Sequence, residues 1–152
     1  MPKITMEWQR FEALTTDRLY KLLRFRQNIF VVEQRSPYPD LDGLDKSAWH
    51  LVACADRELA GYLRVIPTVG PPQSVRIGRV AVAAPLRRQG LGRVLIGEAL
   101  SLCRERYPMQ PVALGAQLFL RPFYERFGFV PVSQPYDDFG VEHIEMVLRP
   151  AD

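Results

Sequence analysis

The chain has 152 residues, enough for one domain with a substantial hydrophobic core but not for two of ordinary size, so we expect a single domain over residues 1–152. With 47% hydrophobic and 24% charged residues, the composition excludes a disordered chain. No apolar run approaches the roughly 20 residues that cross a bilayer, and residues 1–10 lack the pattern of a signal peptide. We therefore expect a cytoplasmic protein that does not associate with membranes.

The net charge of +3 is carried mainly by arginine, with seventeen arginines against three lysines and no basic tract. Arginine is the side chain that forms ion pairs and forked contacts to phosphate. No recognition helix, zinc finger or aromatic RNA-binding motif is present, so the charge favours a small anion and we expect no nucleic-acid partner. The cysteines (Cys54, Cys103) and histidines (His50, His143) lack the spacing of metal ligands, and we expect no metal.

The first half of the chain predicts a strand, a helix and a pair of strands. Alternating polarity marks the strands, and Thr15 or Thr16 is suited to cap the helix, with Asp17 in its first turn. A loop rich in proline and aspartate follows the helix. The predicted segments are a strand over residues 5–11, a helix continuing to about residue 30, the loop over 36–43, and strands over 49–55 and 59–66 with a turn at 56–58.

The second half alternates strands and helices and ends in a strand pair. Pro108 is expected to end the long helix, and Gly128 the shorter one. The predicted segments are strands over 75–82 and 112–117, helices over about 91–106 and 119–127, and final strands over 129–133 and 141–148 joined by a loop containing residues 136–140. This order of elements predicts an α/β domain with one mixed sheet.

The segment Arg87-Arg88-Gln89-Gly90-Leu91-Gly92 lies between the strand over 75–82 and the long helix. Glycines let the backbone approach a ligand closely, and the first N–H groups of a helix point at an anion bound there. Flanking arginines add charged donors, so the segment predicts a phosphate-binding turn. The pattern Gly-x-Gly-x-x-Gly does not apply because Leu95 stands at the third glycine, and no Gly-Lys-Ser/Thr of a P-loop occurs.

This turn, written Arg-x-x-Gly-x-Gly, resembles the acyl-CoA pyrophosphate loop of the GNAT superfamily of N-acyltransferases. The segment Phe123-Tyr124-Glu125-Arg126-Phe127-Gly128-Phe129 resembles the Phe-Tyr-x-x-x-Gly-Phe segment of the same superfamily. Further segments resemble the bacterial ElaA-like subgroup; they are Phe30–Gln34, Pro37-Tyr38, Asp40, Asp42-Gly43, Leu114–Gln117 and His143–Met146. The resemblance implies the single-domain GNAT fold, with a mixed central sheet of about seven strands, flanked by helices and splayed between the fourth and fifth strands.

The resemblance also implies acetyl-CoA as the co-substrate. It places the pantetheine arm along the backbone of Val80–Val82 and the pyrophosphate on N–H groups from Arg88 to Arg93. It makes Tyr124 the general acid that protonates the departing thiolate, with the Val82 N–H polarising the acyl carbonyl. The alternative for Tyr124 is packing in an aromatic core. The residues predicted to bind the coenzyme are Val80, Ala81, Val82, Arg87, Arg88, Gln89, Gly90, Leu91, Gly92, Arg93 and Tyr124.

The sequence departs from the family pattern at the general base. Many members carry an acidic residue in the strand over 75–82, whereas this chain has Gly78 and Arg79 nearby, and we expect Arg79 in a structural ion pair. The proton of the amine has three alternative acceptors, which are Glu33, His143 and water. Histidine is suited to proton transfer near neutral pH. A polar surface edge is the other interpretation of His143, and we expect His50 to be structural.

Acidic residues after the first helix predict a pocket for a cationic amine, which must lose a proton before it attacks. The predicted acceptor-binding residues are Glu33, Gln34, Tyr38, Asp40 and Asp42, while Asp45 is expected to be a solvated loop residue. We therefore expect an acetyl-CoA-dependent N-acyltransferase that acts on a primary amine of a small molecule or peptide by direct transfer in a ternary complex. A non-catalytic acyl-CoA-binding sensor on the same fold is the alternative, and a monomer or a homodimer is expected.

Overall fold

The structure, a computed structural model that describes residues 2–151, is a mixed sheet of eight strands flanked by three α-helices. The strands are β1 (Ile4–Arg10), β2 (Trp49–Ala55), β3 (Glu58–Pro67), β4 (Val75–Val82), β5 (Val112–Gln117), β6 (Val130–Pro131), β7 (Tyr136–Asp138) and β8 (Val141–Leu148). The helices are α1 (Thr16–Gln27), α2 (Leu91–Arg106) and α3 (Arg121–Glu125). Within the described range, no helix combines the length and apolarity that a membrane crossing requires.

The sheet is splayed between β4 and β5, as the family resemblance implied. The strand order is β1-β2-β3-β4-β5-β8-β6, with β7 also paired to β8. All the neighbouring strands are antiparallel except β4 and β5, which are parallel. These two strands pair only at Val75 with Val112 and at Arg76 with Ala113. Beyond these pairs the strands diverge, so the sheet has a gap at its centre.

The two faces of the sheet carry separate apolar clusters because side chains alternate along each strand. Leu51 of β2 belongs to a cluster with Leu95 of α2, whereas the next residue, Val52, packs with Leu22 of α1 on the opposite face. All four side chains are at most 1% exposed. Burial of this apolar area, at roughly 25 cal/mol per Å², holds each helix to its face. Packing of α2 thereby brings the glycine turn to the end of β4.

Helix α1 begins at the predicted cap and ends in an element that the pattern did not predict. The Thr15 Oγ1 accepts a hydrogen bond from the Arg18 N–H at 3.0 Å, which confirms one of the two candidate caps. After Gln27 the chain continues as a π-helical segment over Asn28–Glu33. Such segments are rare and occur frequently at functional sites. This segment directs Phe30 towards the gap in the sheet.

Residues 136–140, predicted as a loop, form a strand and a hairpin turn instead. Asp138 pairs with Val141, so only Phe139 and Gly140 lie in the turn, and both have left-handed φ angles of +51° and +89°. Two successive left-handed residues are typical of the turn that matches the twist of a hairpin. The usual sequence for this turn is Asn-Gly or Asp-Gly, which is why Phe-Gly did not predict it. The resulting strand β7 brings the sheet to eight strands rather than about seven.

Candidate active site

Strand β4 carries a bulge next to the gap between β4 and β5. Against β3, Tyr62 pairs with Ala81 and Arg64 pairs with Gly78, so β4 holds one residue more than β3 over this stretch. Arg79 has a left-handed φ of +54°, which is uncommon for a residue other than glycine. Bulges are found next to active sites, where they redirect the strand and its side chains.

Backbone groups at the end of β4 face the gap. The Ala83 N–H donates to the Ala60 carbonyl of β3 at 2.8 Å. Because N–H directions alternate along a strand, the Val82 N–H points away from β3. Strand β5 pairs with β4 only near Val75 and Arg76, so this edge has no strand partner in the sheet. An extended chain can pair with such an edge as an added strand does.

The glycine turn presents a row of N–H donors at the start of α2. Gly90 has a left-handed φ of +86° and directly precedes Leu91, the first residue of the helix. The first N–H groups of a helix have no partner within the helix, and they carry its partial positive charge. A Cβ on Gly92 would lie in van der Waals contact with Phe123, at 3.8 Å, and with Val82, at 4.0 Å. This arrangement is the one that binds phosphate.

The polar side chains of the turn are partly committed within the protein. Arg87 donates from Nε to the carbonyl of the last residue of β4 at 2.9 Å, and its Nη1 forms an ion pair with Glu33 at 2.7 Å. Gln89 bonds to the carbonyl four residues earlier, at 3.1 Å. Arg88 and Arg93 are exposed, and neither forms an ion pair with any residue from 2 to 151. These two guanidinium groups are therefore available to an anion.

A cavity of about 580 Å³ lies along the gap. Its walls come from the bulge of β4, from β5, from the π-helical segment and the loop after it, from the β7–β8 hairpin and from α3. The predicted site residues that line it are Gln34, Tyr38, Asp42, Val80, Tyr124 and His143. Glu33, Asp40, Ala81 and Val82 do not line it. The structure thus brings together the predicted general acid and one of the candidate bases.

A bridge joins the two sides of this cavity. The Ser36 hydroxyl donates to the Phe139 carbonyl at 2.8 Å, and the Tyr38 ring lies 5.8 Å from the Phe139 ring. All three residues line the cavity. The loop after α1 and the β7–β8 hairpin, far apart in the sequence, therefore form one continuous wall.

Tyr124 lies in an aromatic cluster with its hydroxyl at the cavity. Its side chain is 5% exposed, and the rings of Phe123 and Phe129 meet it edge-on at 5.0 and 6.0 Å. Among the described residues, the hydroxyl has no hydrogen-bond partner. Burial raises the pKa of Tyr124 to about 12, so the hydroxyl keeps its proton at neutral pH. The structure thus shows the aromatic packing that the sequence offered as one alternative, and this packing does not engage the hydroxyl.

His143 is held in one tautomer by a backbone hydrogen bond. Its Nδ1 lies 2.8 Å from the Val141 carbonyl oxygen, and a carbonyl only accepts, so Nδ1 carries the proton. In the neutral ring the other nitrogen, Nε2, is therefore unprotonated and able to accept a proton. The ring stacks on Tyr136 at 6.0 Å and lines the cavity. These contacts fix the position of the ring and its tautomer.

The acidic residues after α1 are bound by arginines in a closed ring of ion pairs, here called the Arg–Asp ring. Each carboxylate contacts two guanidinium groups, and each guanidinium group contacts two carboxylates. In order around the ring, the members are Arg26, Asp40, Arg79, Asp42, Arg64 and Asp45. The distances include 2.7 Å from Arg26 Nη1 to Asp45 Oδ1 and 2.9 Å from Arg64 Nη1 to the same oxygen. The ring ties α1 and the loop to the bulge of β4.

The ring corrects two expectations about the acidic loop. Asp45 is not solvated, since it is only 7% exposed and its pKa, despite the opposing effect of burial, is lowered by Arg26 and Arg64. Asp42 lines the cavity, and its pKa falls to about 2 because Arg64 and Arg79 favour its charged form over the cost of burial. The positive and negative charges of the ring balance, so this loop does not supply the surplus negative charge expected for a cationic amine.

Two further expectations about charged and polar residues are confirmed. Arg79 forms ion pairs with Asp40 at 2.9 Å and with Asp42 at 3.2 Å. His50 is 1% exposed, with Nδ1 2.6 Å from the Tyr62 hydroxyl and Nε2 2.8 Å from the Asp45 carbonyl oxygen. Burial lowers the pKa of His50, so its imidazole is neutral. Its contact with the Asp45 carbonyl links it to a member of the Arg–Asp ring.

Comparison with known proteins identifies the family to which this arrangement belongs. The acetyltransferase (GNAT) domain family matches residues 27–150. The chain belongs to this GNAT family. Protein ElaA of Escherichia coli is 39% identical over 145 residues, which span 93% of this chain and 95% of ElaA. The crystal structure of E. coli ElaA matches with a TM-score of 0.90 at 37% identity, covering 95% of this chain and 99% of that one.

A second solved structure supports the same assignment. An acyl-CoA N-acyltransferase from Pseudomonas aeruginosa matches with a TM-score of 0.89 at 38% identity, covering 95% of this chain and 99% of that one. The present chain is thus an acyltransferase enzyme with the GNAT fold and belongs with the ElaA-like proteins, as its motifs predicted. GNAT enzymes generally use an acyl-CoA as the acyl donor.

Sequence reasoning missed several residues that build this GNAT site. Arg26 and Arg64 hold the cavity wall, and Tyr136 and Asp138 line the cavity. One signal was present for Arg26, because it stands four residues after Leu22 and so lies on the buried face of α1. A charged residue on such a face requires a buried partner.

Proposed function

We propose that this GNAT enzyme, acting as one domain in the cytoplasm, transfers the acetyl group of acetyl-CoA to a primary amine of a small molecule or peptide. The amine attacks directly within a ternary complex. The observation that carries this proposal is the gap between β4 and β5, which joins the N–H donors at the start of α2 to a cavity lined by Tyr124 and His143. A donor site and a proton-transfer site thus meet at one break in the sheet.

The coenzyme fits the backbone features of this gap. Acetyl-CoA supplies an activated thioester when bound. The free edge of Val80–Val82 would pair with the pantetheine arm, and the N–H groups of residues 90–93 with Arg88 and Arg93 would hold the diphosphate. Of residues 80–82, only Val80 lines the cavity. We therefore assign polarisation of the acyl oxygen to Val80 in preference to Val82.

Substitution of Gly92 by valine tests the diphosphate site. Gly92→Val adds a branched side chain in the first turn of α2, against Phe123 and Val82 at the end of β4. If this bulk keeps the diphosphate from the N–H donors, loss of charge-assisted hydrogen bonds should raise the Kd for CoA by at least about tenfold. Titration calorimetry with CoA measures this change. Gly90→Val is a poorer test of the same site, because a left-handed φ of +86° disfavours valine whatever binds there.

Gly97→Val on the same helix is the matched control, because a Cβ on Gly97 meets nothing within 4 Å. Its affinity for CoA should equal that of the unmodified protein. Equal affinities for all three proteins would place the diphosphate somewhere other than the glycine turn.

Direct transfer is favoured because neither cysteine is placed to form an acyl-enzyme. Cys54 and Cys103 are buried in the apolar clusters and do not line the cavity. Burial also raises the pKa of Cys103 to about 11, so it holds little thiolate at neutral pH. Initial rates measured at several concentrations of both substrates should give intersecting double-reciprocal lines. Parallel lines would indicate a covalent intermediate instead.

We assign the proton transfers to Tyr124 and His143, which line the same cavity. An ammonium nitrogen loses one proton to Nε2 of His143 before the free amine attacks the thioester carbon. The new C–N bond forms as the C–S bond breaks, and the departing sulfur takes the proton of the Tyr124 hydroxyl. The second proton lost by nitrogen restores that hydroxyl, and the first passes from His143 to solvent. The products are a neutral amide, CoA with a free thiol, and one released proton.

Paired substitutions distinguish His143 from Glu33 as the base. His143→Gln removes a general base, so kcat should fall by about 10²-fold while the Kd for CoA stays unchanged. Glu33→Gln should leave kcat within about threefold, because Glu33 is 43% exposed, lies outside the cavity and is paired with Arg87. Release of CoA thiol at a fixed pH measures both. A larger loss in Glu33→Gln than in His143→Gln would exchange the two roles.

The function as a whole is tested by binding and turnover with the unmodified protein. Calorimetric titration should give one site for acetyl-CoA and one for CoA, and a panel of primary amines should produce thiol release that depends on the amine. Saturable binding without turnover of any amine would contradict N-acyl transfer to small amines. Absence of binding at millimolar acetyl-CoA would contradict the donor as well.

A further inference from the structure

We propose that the β7–β8 hairpin binds the acceptor, with Asp138 receiving the one ammonium group of an amine whose remaining body is uncharged and apolar. This inference rests on the proposed N-acyl transfer and specifies the class of acceptor. It assigns Asp138 and Tyr136 to the acceptor site in place of the acidic loop after α1.

One face of the hairpin is directed into the cavity. Tyr136 and Asp138 are two residues apart on β7 and so share a face, and they pair across the hairpin with His143 and Val141. All four residues line the cavity. Asp137, which lies between them on the opposite face, uses its carboxylate to accept the Gly140 N–H at 3.2 Å.

Asp138 carries the uncompensated charge of this wall. The cavity is lined by two carboxylates, Asp42 and Asp138, and by three guanidinium groups. Asp42 is neutralised within the Arg–Asp ring, and Arg76 is paired with Glu145. No residue from 2 to 151 forms an ion pair with Asp138. A single ammonium group is the charge that complements this wall.

The position of Asp138 also connects it to the proposed base. Asp138 pairs with Val141 and Tyr136 pairs with His143, so Asp138 and His143 are diagonal neighbours on adjacent strands. Diagonal neighbours lie about 7–8 Å apart at Cα, a separation that leaves room for one nitrogen between the two side chains. An ammonium group held by Asp138 is therefore within reach of the nitrogen that accepts its proton.

The remaining wall favours an uncharged body. Its apolar and aromatic members include Phe30, Tyr38, Leu44, Ile66, Val69 and Leu114. A second ammonium group would approach Arg64, Arg76 or Arg79, and a carboxylate would find each of these guanidinium groups already paired. Either added charge loses its hydration without gaining a partner, which is unfavourable.

Three amines that share one aromatic ring test the class of acceptor. They are 2-phenylethylamine, phenylalanine, which adds a carboxylate, and 1,4-bis(2-aminoethyl)benzene, which adds a second ammonium group. We expect kcat/KM from thiol release to be at least about tenfold higher for 2-phenylethylamine than for either charged analogue. A charged analogue that reacts as well or better would overturn the inference while leaving N-acyl transfer intact. No reaction with any of the three, while other primary amines react, would also overturn only the inference. No reaction with any amine of the wider panel would overturn both the inference and N-acyl transfer.

Asp138→Asn tests the residue itself, with Asp137→Asn as its matched control. Loss of one ion pair at the exposed Asp138 carboxylate should raise the KM for 2-phenylethylamine by about threefold to fivefold and leave the KM for acetyl-CoA unchanged. Asp137→Asn removes the same charge from the opposite face and keeps an oxygen for the Gly140 N–H, so both KM values should stay the same. Equal KM values for the amine in the two variants would overturn the role of Asp138.

Discussion

Replacement of Tyr124 by phenylalanine should lower kcat by about 10²-fold, the lower end of the range for a general acid. The hydroxyl stands at the cavity with no partner among the described residues, and its pKa of about 12 keeps it protonated throughout the neutral range. The ring itself packs against Phe123 and Phe129, and phenylalanine preserves those contacts. The melting temperature and the Kd for CoA should therefore stay unchanged, so that the loss appears in kcat alone.

Tyr20→Phe is the control for this substitution, because Tyr20 is 65% exposed on α1. Its kcat, measured by thiol release with the same amine, should equal that of the unmodified enzyme. If kcat in Tyr124→Phe equals that of this control, the sulfur leaves without a proton from Tyr124. The only role of Tyr124 would then be to pack in the aromatic cluster.

Replacement of Asp45 by alanine should destabilise the protein by about 3–5 kcal/mol, because it leaves two buried guanidinium groups without a shared carboxylate. Arg26 is fully buried and Arg64 is 3% exposed, so water cannot take over the missing contacts. For a domain of this size the loss corresponds to a fall in melting temperature of about 10 °C. Thermal and denaturant unfolding, followed by circular dichroism, measure the change.

An exposed ion pair provides the comparison. Asp17 contacts Lys21 at 3.0 Å, and both side chains are largely exposed. Asp17→Ala should therefore cost no more than about 1 kcal/mol. Similar losses in the two variants would mean that the Arg–Asp ring contributes no more than a surface pair.

The ring also determines how stability depends on pH. The pKa values of Asp42, at about 2, and of Asp45 are lower in the folded protein than the value of about 3.9 for an unfolded aspartate. A lowered folded-state pKa stabilises the protein fully above the unfolded value, and this contribution is lost as pH falls towards 2. Asp45→Ala should accordingly lose less stability than the unmodified protein between pH 4 and pH 2.

Local patterns predicted most of the elements and the coenzyme turn. Helix α2 and the glycine turn were predicted because an apolar stripe at helical spacing follows a strand and two glycines. Tyr124 was predicted through the motif around it. The hairpin turn at Phe139-Gly140 was missed because its backbone conformation is carried by a phenylalanine, which such turns rarely use. Strand β7, and with it Asp138, was missed for that reason.

The Arg–Asp ring was beyond local prediction. Its contacts join residues 14 to 39 positions apart, and they depend on how α1, the loop and two strands pack together. A loop with several aspartates is most often solvated, so Asp45 was expected at the surface. Only the tertiary fold shows that three guanidinium groups reach the same place.

The closed form of the ring limits how this site can change in evolution. Every member has two partners. Any single substitution that removes a charge therefore leaves both partners, which carry the same charge as each other, without one of their counter-charges. Exchanging one arginine with an adjacent aspartate does not repair the ring, because each exchanged residue then contacts a like charge on its other side. Homologous proteins should therefore keep all six positions together or lose them together, and an alignment should show these positions present or absent as a set.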